Sequence, residues 1–127
     1  MALNSKEKAL KIAKILHDKK ASDIKILELK DLTIITDYFV ICSADSTTQV
    51  KAITEYIEET MADEGLKPFS IEGFNYAHWV LMDYGDVIVH IFIEETRLYY
   101  DLERLWLDAP RIQFETFTSQ KSPAMYK

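Results

Sequence analysis

The chain has 127 residues, enough for one domain that buries roughly two-thirds of the surface its unfolded form exposes. Hydrophobic residues make up 48% of it and aromatic residues 12%, which excludes disorder over most of the length. A net charge of −6 disfavours direct, sequence-specific nucleic-acid binding, because displacing counterions from a phosphate backbone takes clustered Lys and Arg.

Lysines are frequent only near the start, at Lys6, Lys8, Lys11, Lys14, Lys19 and Lys20, where they serve solubility on a helix. The acidic balance favours a basic protein partner or none. Cys42 is the single cysteine, so no intrachain disulfide forms, which suits a reducing cytosol. No apolar run reaches the ~20 residues a bilayer crossing needs. Residues 1–7 hold an early acidic residue and no apolar signal core, so the expectation is a cytoplasmic protein without a membrane anchor.

In chain order, the spacing predicts a first helix over residues 5–19. Asn4 and Glu7 fit a capping box, and Ala9, Ile12, Ala13 and Leu16 share one stripe. A strand follows over 24–29, where adjacent Ile26 and Leu27 break strict alternation. Burial on both faces or a bulge would explain that. Residues 31–37 hold a turn, and Tyr38-Phe39-Val40-Ile41-Cys42 reads as a central strand buried on both sides. Ser43-Ala44-Asp45-Ser46 leads into a second helix over 47–64 that buries Val50, Ile53, Ile57 and Met61. Gly65 and Pro68 close that helix.

Phe69-Ser70-Ile71 is a short strand and Glu72-Gly73 a turn. Two apolar runs, 79–82 and 87–93, then flank Asp83-Tyr84-Gly85-Asp86 as a β-hairpin. A two-residue loop of Tyr84-Gly85 would pair Asp83 with Asp86, Leu81 with Ile88, and Trp79 with His90. Alternation then gives an aliphatic face of Val80, Met82, Val87, Val89, Ile91 and Ile93, which reads as core. The other face carries Trp79, Leu81, Asp83, Asp86, Ile88, His90 and Phe92. It is too apolar for solvent and too charged at its tip for core, so it is the surface expected to meet a partner. A third helix starts at Glu94-Glu95 with a buried stripe of Leu98, Leu102, Leu105 and Trp106. Residues 1–107 form the expected single domain and 108–127 a mobile tail. The order is α-β-β-α-β-β-β-α, an α/β (α+β) chain with a mixed sheet of about five strands flanked by helices.

Each candidate for chemistry has a plainer reading. Asp83 and Asp86 are two carboxylates at one hairpin tip, part of a hard-cation site at most, and aspartate is an ordinary turn residue. His17, His78 and His90 are scattered, and one cysteine cannot build a thiolate zinc site, so no metal is expected. Cys42 inside an apolar strand behaves as a small hydrophobe. Ser43, Ser46, Thr47 and Thr48 sit where a strand feeds a helix, yet lack the glycines of a phosphate loop, and capping is the better reading. Tyr99 and Tyr100 are adjacent on a helix and cannot both be buried on one stripe, so at least one is exposed and available to an interface.

Thr36-Asp37-Tyr38-Phe39-Val40-Ile41-Cys42-Ser43, Gln49-Val50-Lys51-Ala52-Ile53, Glu72-Gly73, residues 79–92 and Tyr99-Tyr100-Asp101-Leu102-Glu103-Arg104-Leu105-Trp106 together resemble the Iojap family of ribosomal silencing factors. The resemblance covers nearly everything up to Trp106 in the same order and spacing. It implies a nucleotidyltransferase-like core without catalytic acids or cofactor. It also implies binding to a protein of the large ribosomal subunit (the fourteenth in the usual naming) on the intersubunit face. By blocking subunit joining, such a protein represses translation under nutrient limitation. A tryptophan matching Trp79 and neighbouring hairpin residues form the implied contact, and a homodimer is implied off the ribosome. The chain departs from the family's usual pattern at Asn75-Tyr76-Ala77-His78 and at Thr48.

The leading expectation is therefore a non-enzymatic binder. Its partner-binding residues are Trp79, Leu81, Asp83, Tyr84, Asp86, Ile88, His90, Tyr99 and Tyr100. The alternatives are a magnesium-dependent nucleotidyltransferase-type enzyme using Asp83 and Asp86, and a dimeric adaptor protein pairing through the same face.

Overall fold

A computed structural model describes residues 3–113. Helix α1 (Ser5–Asp18) opens with the expected capping box: the Asn4 side chain accepts from the Glu7 N–H at 2.8 Å, and Glu7 accepts from the Asn4 N–H at 3.0 Å. Strand β1 (Ser22–Glu28) explains its adjacent apolar pair in both ways at once. Its pairing is irregular between Ser22 and Lys25, and Ile26 and Leu27 are buried in separate clusters on opposite faces. Strand β2 (Tyr38–Ala44) is buried throughout. Helix α2 (Thr47–Ala62) is capped by the Ser46 hydroxyl, which accepts from the Gln49 N–H, and it buries Val50, Ile53, Ile57 and Met61.

Strands β3 (Ser70–Glu72), β4 (Trp79–Asp83) and β5 (Val87–Ile93) complete a five-stranded sheet in the order β1-β2-β5-β4-β3. β2 and β5 pair in parallel and the other neighbours antiparallel. A parallel pair needs a long crossover, and α2 with the β3–β4 hairpin supplies it. The apolar stripes of α1 and α2 pack on one face of the sheet, against Val40, Cys42, Val80, Met82, Val87, Val89 and Ile91. The mixed sheet flanked by helices is the expected fold class.

Three features differ from expectation. The β4–β5 register is displaced by two residues: Trp79 pairs with Phe92, Leu81 with His90 and Asp83 with Ile88. The Tyr84 N–H donates to the Val87 carbonyl at 2.9 Å, so the loop is Gly85-Asp86. Gly85 has φ +89° at the first loop position, as a type II′ turn requires, and a Cβ there would stand 2.8 Å from the Phe69 ring. Because the displacement is even, every strand residue keeps its assigned face.

The third helix is two helices, α3 (Glu94–Tyr100) and α4 (Leu102–Leu105), broken at Asp101 with φ +49°. A helical stripe cannot run through that break. Leu98 and Leu105 are accordingly 69% and 74% exposed, while Leu102 and Trp106 are half-buried; α3 buries Arg97 instead. The chain also stays on the sheet beyond residue 108. The Glu28 N–H donates to the Pro110 carbonyl at 2.8 Å, the Ile112 N–H donates to the Ile26 carbonyl at 3.0 Å, and Ala109 is buried. The edge groups of β1 need partners, and a short non-periodic segment supplies them. The rest of the expected tail, 114–127, lies outside the described residues.

Candidate functional site

The face of the sheet opposite α1 and α2 carries Leu27, Phe39, Ile41, Ile88, His90 and Phe92, fringed by half-buried Trp79, Leu81, Leu102 and Trp106. The pleat of β2, β4 and β5 places them, since odd residues of β2 and β4 and even residues of β5 point the same way. Trp79 begins β4, where the chain leaves the turn at Gly73. Gly73 has φ +84°, and a Cβ on it would collide with the Trp79 carbonyl oxygen, so the turn closes against the strand only with glycine there. Glu72, Gly73, Trp79 and Leu81 line an open recess of about 290 Å³.

The Trp79 ring stacks on Phe92 with centroids 4.8 Å apart and meets Tyr100 at 5.0 Å. Its indole Nε1–H donates to His90 Nδ1 at 3.1 Å. His90 is 3% exposed and sits edge-on to Phe39 at 4.5 Å. Burial pushes its pKa down to about 3, so the ring is neutral at physiological pH. With Nδ1 accepting, the proton lies on Nε2, which has no acceptor among the described residues.

Of the expected contact residues, the structure gathers Trp79, Leu81, Tyr99 and Tyr100 at this face with accessible surface, the two tyrosines being 81% and 54% exposed. Asp83 is half-buried on the same strand, and its carboxylate accepts from the Gly85 N–H at 2.8 Å, the local bond typical of aspartate in turns. Ile88 and His90 lie beneath the patch, both buried.

Tyr84 and Asp86 belong elsewhere. With β4 extended by one pairing, Tyr84 falls in phase with Val80 and Met82 and is buried in the helix-side core. Burial, with a smaller contribution from the Glu58 carboxylate, pushes its phenol up to about 12. Asp86 reaches Lys8 of α1 at 2.7 Å. The two aspartates therefore hold different partners, a turn amide and a helix lysine, and are not a converging carboxylate pair. Cys42 is buried, and burial pushes its thiol up to about 12, as for an inert core cysteine.

One residue of the site escapes the sequence reading. Arg97, 4% exposed, donates to the Asp23 carbonyl at 2.8 Å, to the Ser43 hydroxyl at 2.9 Å and to both carboxylate oxygens of Glu103 at 3.3 and 2.8 Å. It ties α3 and α4 to the end of the sheet and thereby places Tyr99 and Tyr100. Arg97 and Glu103 are six residues apart across a helix break, a spacing that would not bring them together on one helical face.

The chain matches the family described as ribosomal silencing factor during starvation over residues 2–127. It is 45% identical over 93 residues to the ribosomal silencing factor RsfS of Bacillus subtilis, covering 73% of this chain and 79% of that one. Its identity to RsfS of Halalkalibacterium halodurans is 42% over 98 residues, 77% of this chain and 84% of the relative. A crystal structure of a Chromobacterium violaceum protein, 30% identical, superposes with a TM-score of 0.78 over 92% of this chain and 97% of that one. Family match, close relatives and shared fold agree with the resemblance read from residues 36–106, and the chain belongs to the ribosomal silencing factor family.

Proposed function

We propose that the protein binds the large ribosomal subunit through one of its proteins, the fourteenth in the usual naming. The contact is the sheet face that carries Trp79. Bound there, it stands in the way of the small subunit and represses translation under nutrient limitation without catalysing a reaction. The observation that carries this reading is the half-buried indole, with Leu81, Tyr99 and Tyr100 accessible beside it. Aromatic anchors surrounded by a polar rim are where binding energy concentrates. Glu72 in the lining of the recess suits a basic partner surface, in keeping with the net charge of −6.

In this reading the protein acts in the cytoplasm. Among the described residues no helix is long and apolar enough to cross a membrane. The free protein forms a homodimer, which the exposed Leu98, Tyr99, Leu105 and Leu107 beside the same face support. Size-exclusion chromatography over a concentration range tests the dimer, and a monomer throughout would remove it.

Co-sedimentation with purified large subunits tests the docking face. Trp79→Ala should weaken binding by at least about 2 kcal/mol, more than tenfold. A folded Trp79→Ala variant that binds as well as the wild type refutes the assigned face. Light scattering of mixed subunits then reads the block itself: added protein should lower the extent of joining, and unchanged joining at saturating protein refutes steric exclusion.

A further inference from the structure

We infer that His90 is the positioning residue of this docking surface: its Nδ1 holds the Trp79 indole in one orientation, with the N–H turned inward and the carbon framework turned to the partner. The inference rests on the docking reading above and adds to it the chemistry that the partner must present.

The ring contacts of Trp79 do not fix its orientation by themselves. Stacking on Phe92 at 27° and the tilted contact with Tyr100 act on the ring faces and offer no acceptor to Nε1. The bond from Nε1 to His90 Nδ1 is directional, and it selects one edge. The register makes it possible. Leu81 stands directly opposite His90, so Trp79, two residues earlier on the same strand face, is its diagonal neighbour, within reach of long aromatic side chains.

Stability does not account for a histidine at this position. The ring is 3% exposed, so it cannot touch a partner. Its Nε2–H lacks an acceptor among the described residues, and a buried donor left unmatched is costlier than an apolar side chain of the same shape. Phe39 packs edge-on against it and would pack as well on a phenyl ring. What an apolar residue could not supply is the acceptor for the indole.

The consequence concerns the partner. With its single donor engaged inside the protein, Trp79 offers no hydrogen bond outward. The complementary surface on the partner therefore presents aliphatic groups, or the stem of a Lys or Arg whose charge lies over the ring, and not a carbonyl or phosphate acceptor aimed at the indole nitrogen.

The test uses Trp106→Phe as the background, which leaves Trp79 as the sole tryptophan of the chain. His90→Phe removes the acceptor, and His90→Asn returns one at the place of Nδ1. Time-resolved anisotropy of Trp79 and co-sedimentation with purified large subunits are read for each. We expect His90→Phe to add a fast depolarising motion of the indole and to weaken binding at least tenfold. His90→Asn should restore both to within about threefold of the background. In a Trp79→Ala chain, His90→Phe should cause no further loss. If His90→Phe does not fold, His90→Gln, which moves its polar group away from the Nδ1 position, takes its place with the same expectation. Wild-type anisotropy and affinity in a folded His90→Phe, while Trp79→Ala is impaired, overturn this inference and leave the docking face standing. Wild-type binding by Trp79→Ala overturns both.

Discussion

The two faces of the sheet are closed by different physics. On the helix side, α1 and α2 lay aliphatic stripes over Val40, Val80, Met82, Val89 and Ile91, and an ion pair of Lys8 with Asp86 ties α1 to the hairpin at its rim. On the other side the cover is two short helices and the segment 109–112, and it is held down by the buried guanidinium of Arg97 and by aromatic edges. The first face needs no partner. The second ends in half-buried Trp79 and Leu81 and in exposed tyrosines, with the indole N–H already committed to His90. Both faces come from one alternation along β4 and β5, so a single strand pair builds a core and the proposed docking surface back to back.

This contrast can be broken at Arg97 with the largest effect. Arg97→Ala leaves Glu103 and the Ser43 hydroxyl without their partner, and losing one member of a buried ion pair costs about 3–5 kcal/mol. Urea unfolding should show that loss. Ribosome binding should fall as well, because α3 carries Tyr99 and Tyr100. A loss below about 1 kcal/mol would mean that apolar packing, not the guanidinium, holds the second face.

A smaller and more selective effect comes from acid. His90 has its pKa lowered in the folded state, so the unfolded chain binds the proton more tightly and stability rises with pH. The contribution of the neutral ring is complete above the unfolded value near 6.5 and is lost progressively as pH falls toward about 3. At pH 5.0 the wild type should be about 2 kcal/mol less stable from this group alone than at pH 7.5. Comparing urea unfolding at the two pH values for wild type and His90→Phe isolates the term, which should vanish in the variant. An equal pH dependence in both proteins would show that the second face does not resist protonation.

The smallest effect sharpens the boundary of the patch. Leu98→Ser should change stability by no more than about 0.5 kcal/mol, because Leu98 is 69% exposed. Thermal unfolding of the variant is sufficient. A loss above about 1 kcal/mol would return Leu98 to the core and extend the second face over α3.

The sequence by itself determined what depends on near neighbours in the chain. The Asn4–Glu7 capping box, the Ser46 cap, the α2 stripe and the central strand of residues 38–42 follow from local periodicity and capping chemistry. The two-residue alternation of β4 and β5 assigned both sheet faces even though the register was off by two, since an even displacement preserves them. Trp79 could be singled out for the same reason. Tertiary structure decided everything that depends on residues far apart in sequence or on a break in periodicity. The left-handed Asp101 ended a helical stripe that looked continuous, the added Tyr84–Val87 pairing carried Tyr84 into the core, and Lys8 drew Asp86 to α1. Arg97 found Asp23, Ser43 and Glu103 only once four elements met. Hydrogen bonds and ion pairs are short-ranged in space and indifferent to sequence separation, so a chain reveals its periodic surfaces before folding and its polar ties only after.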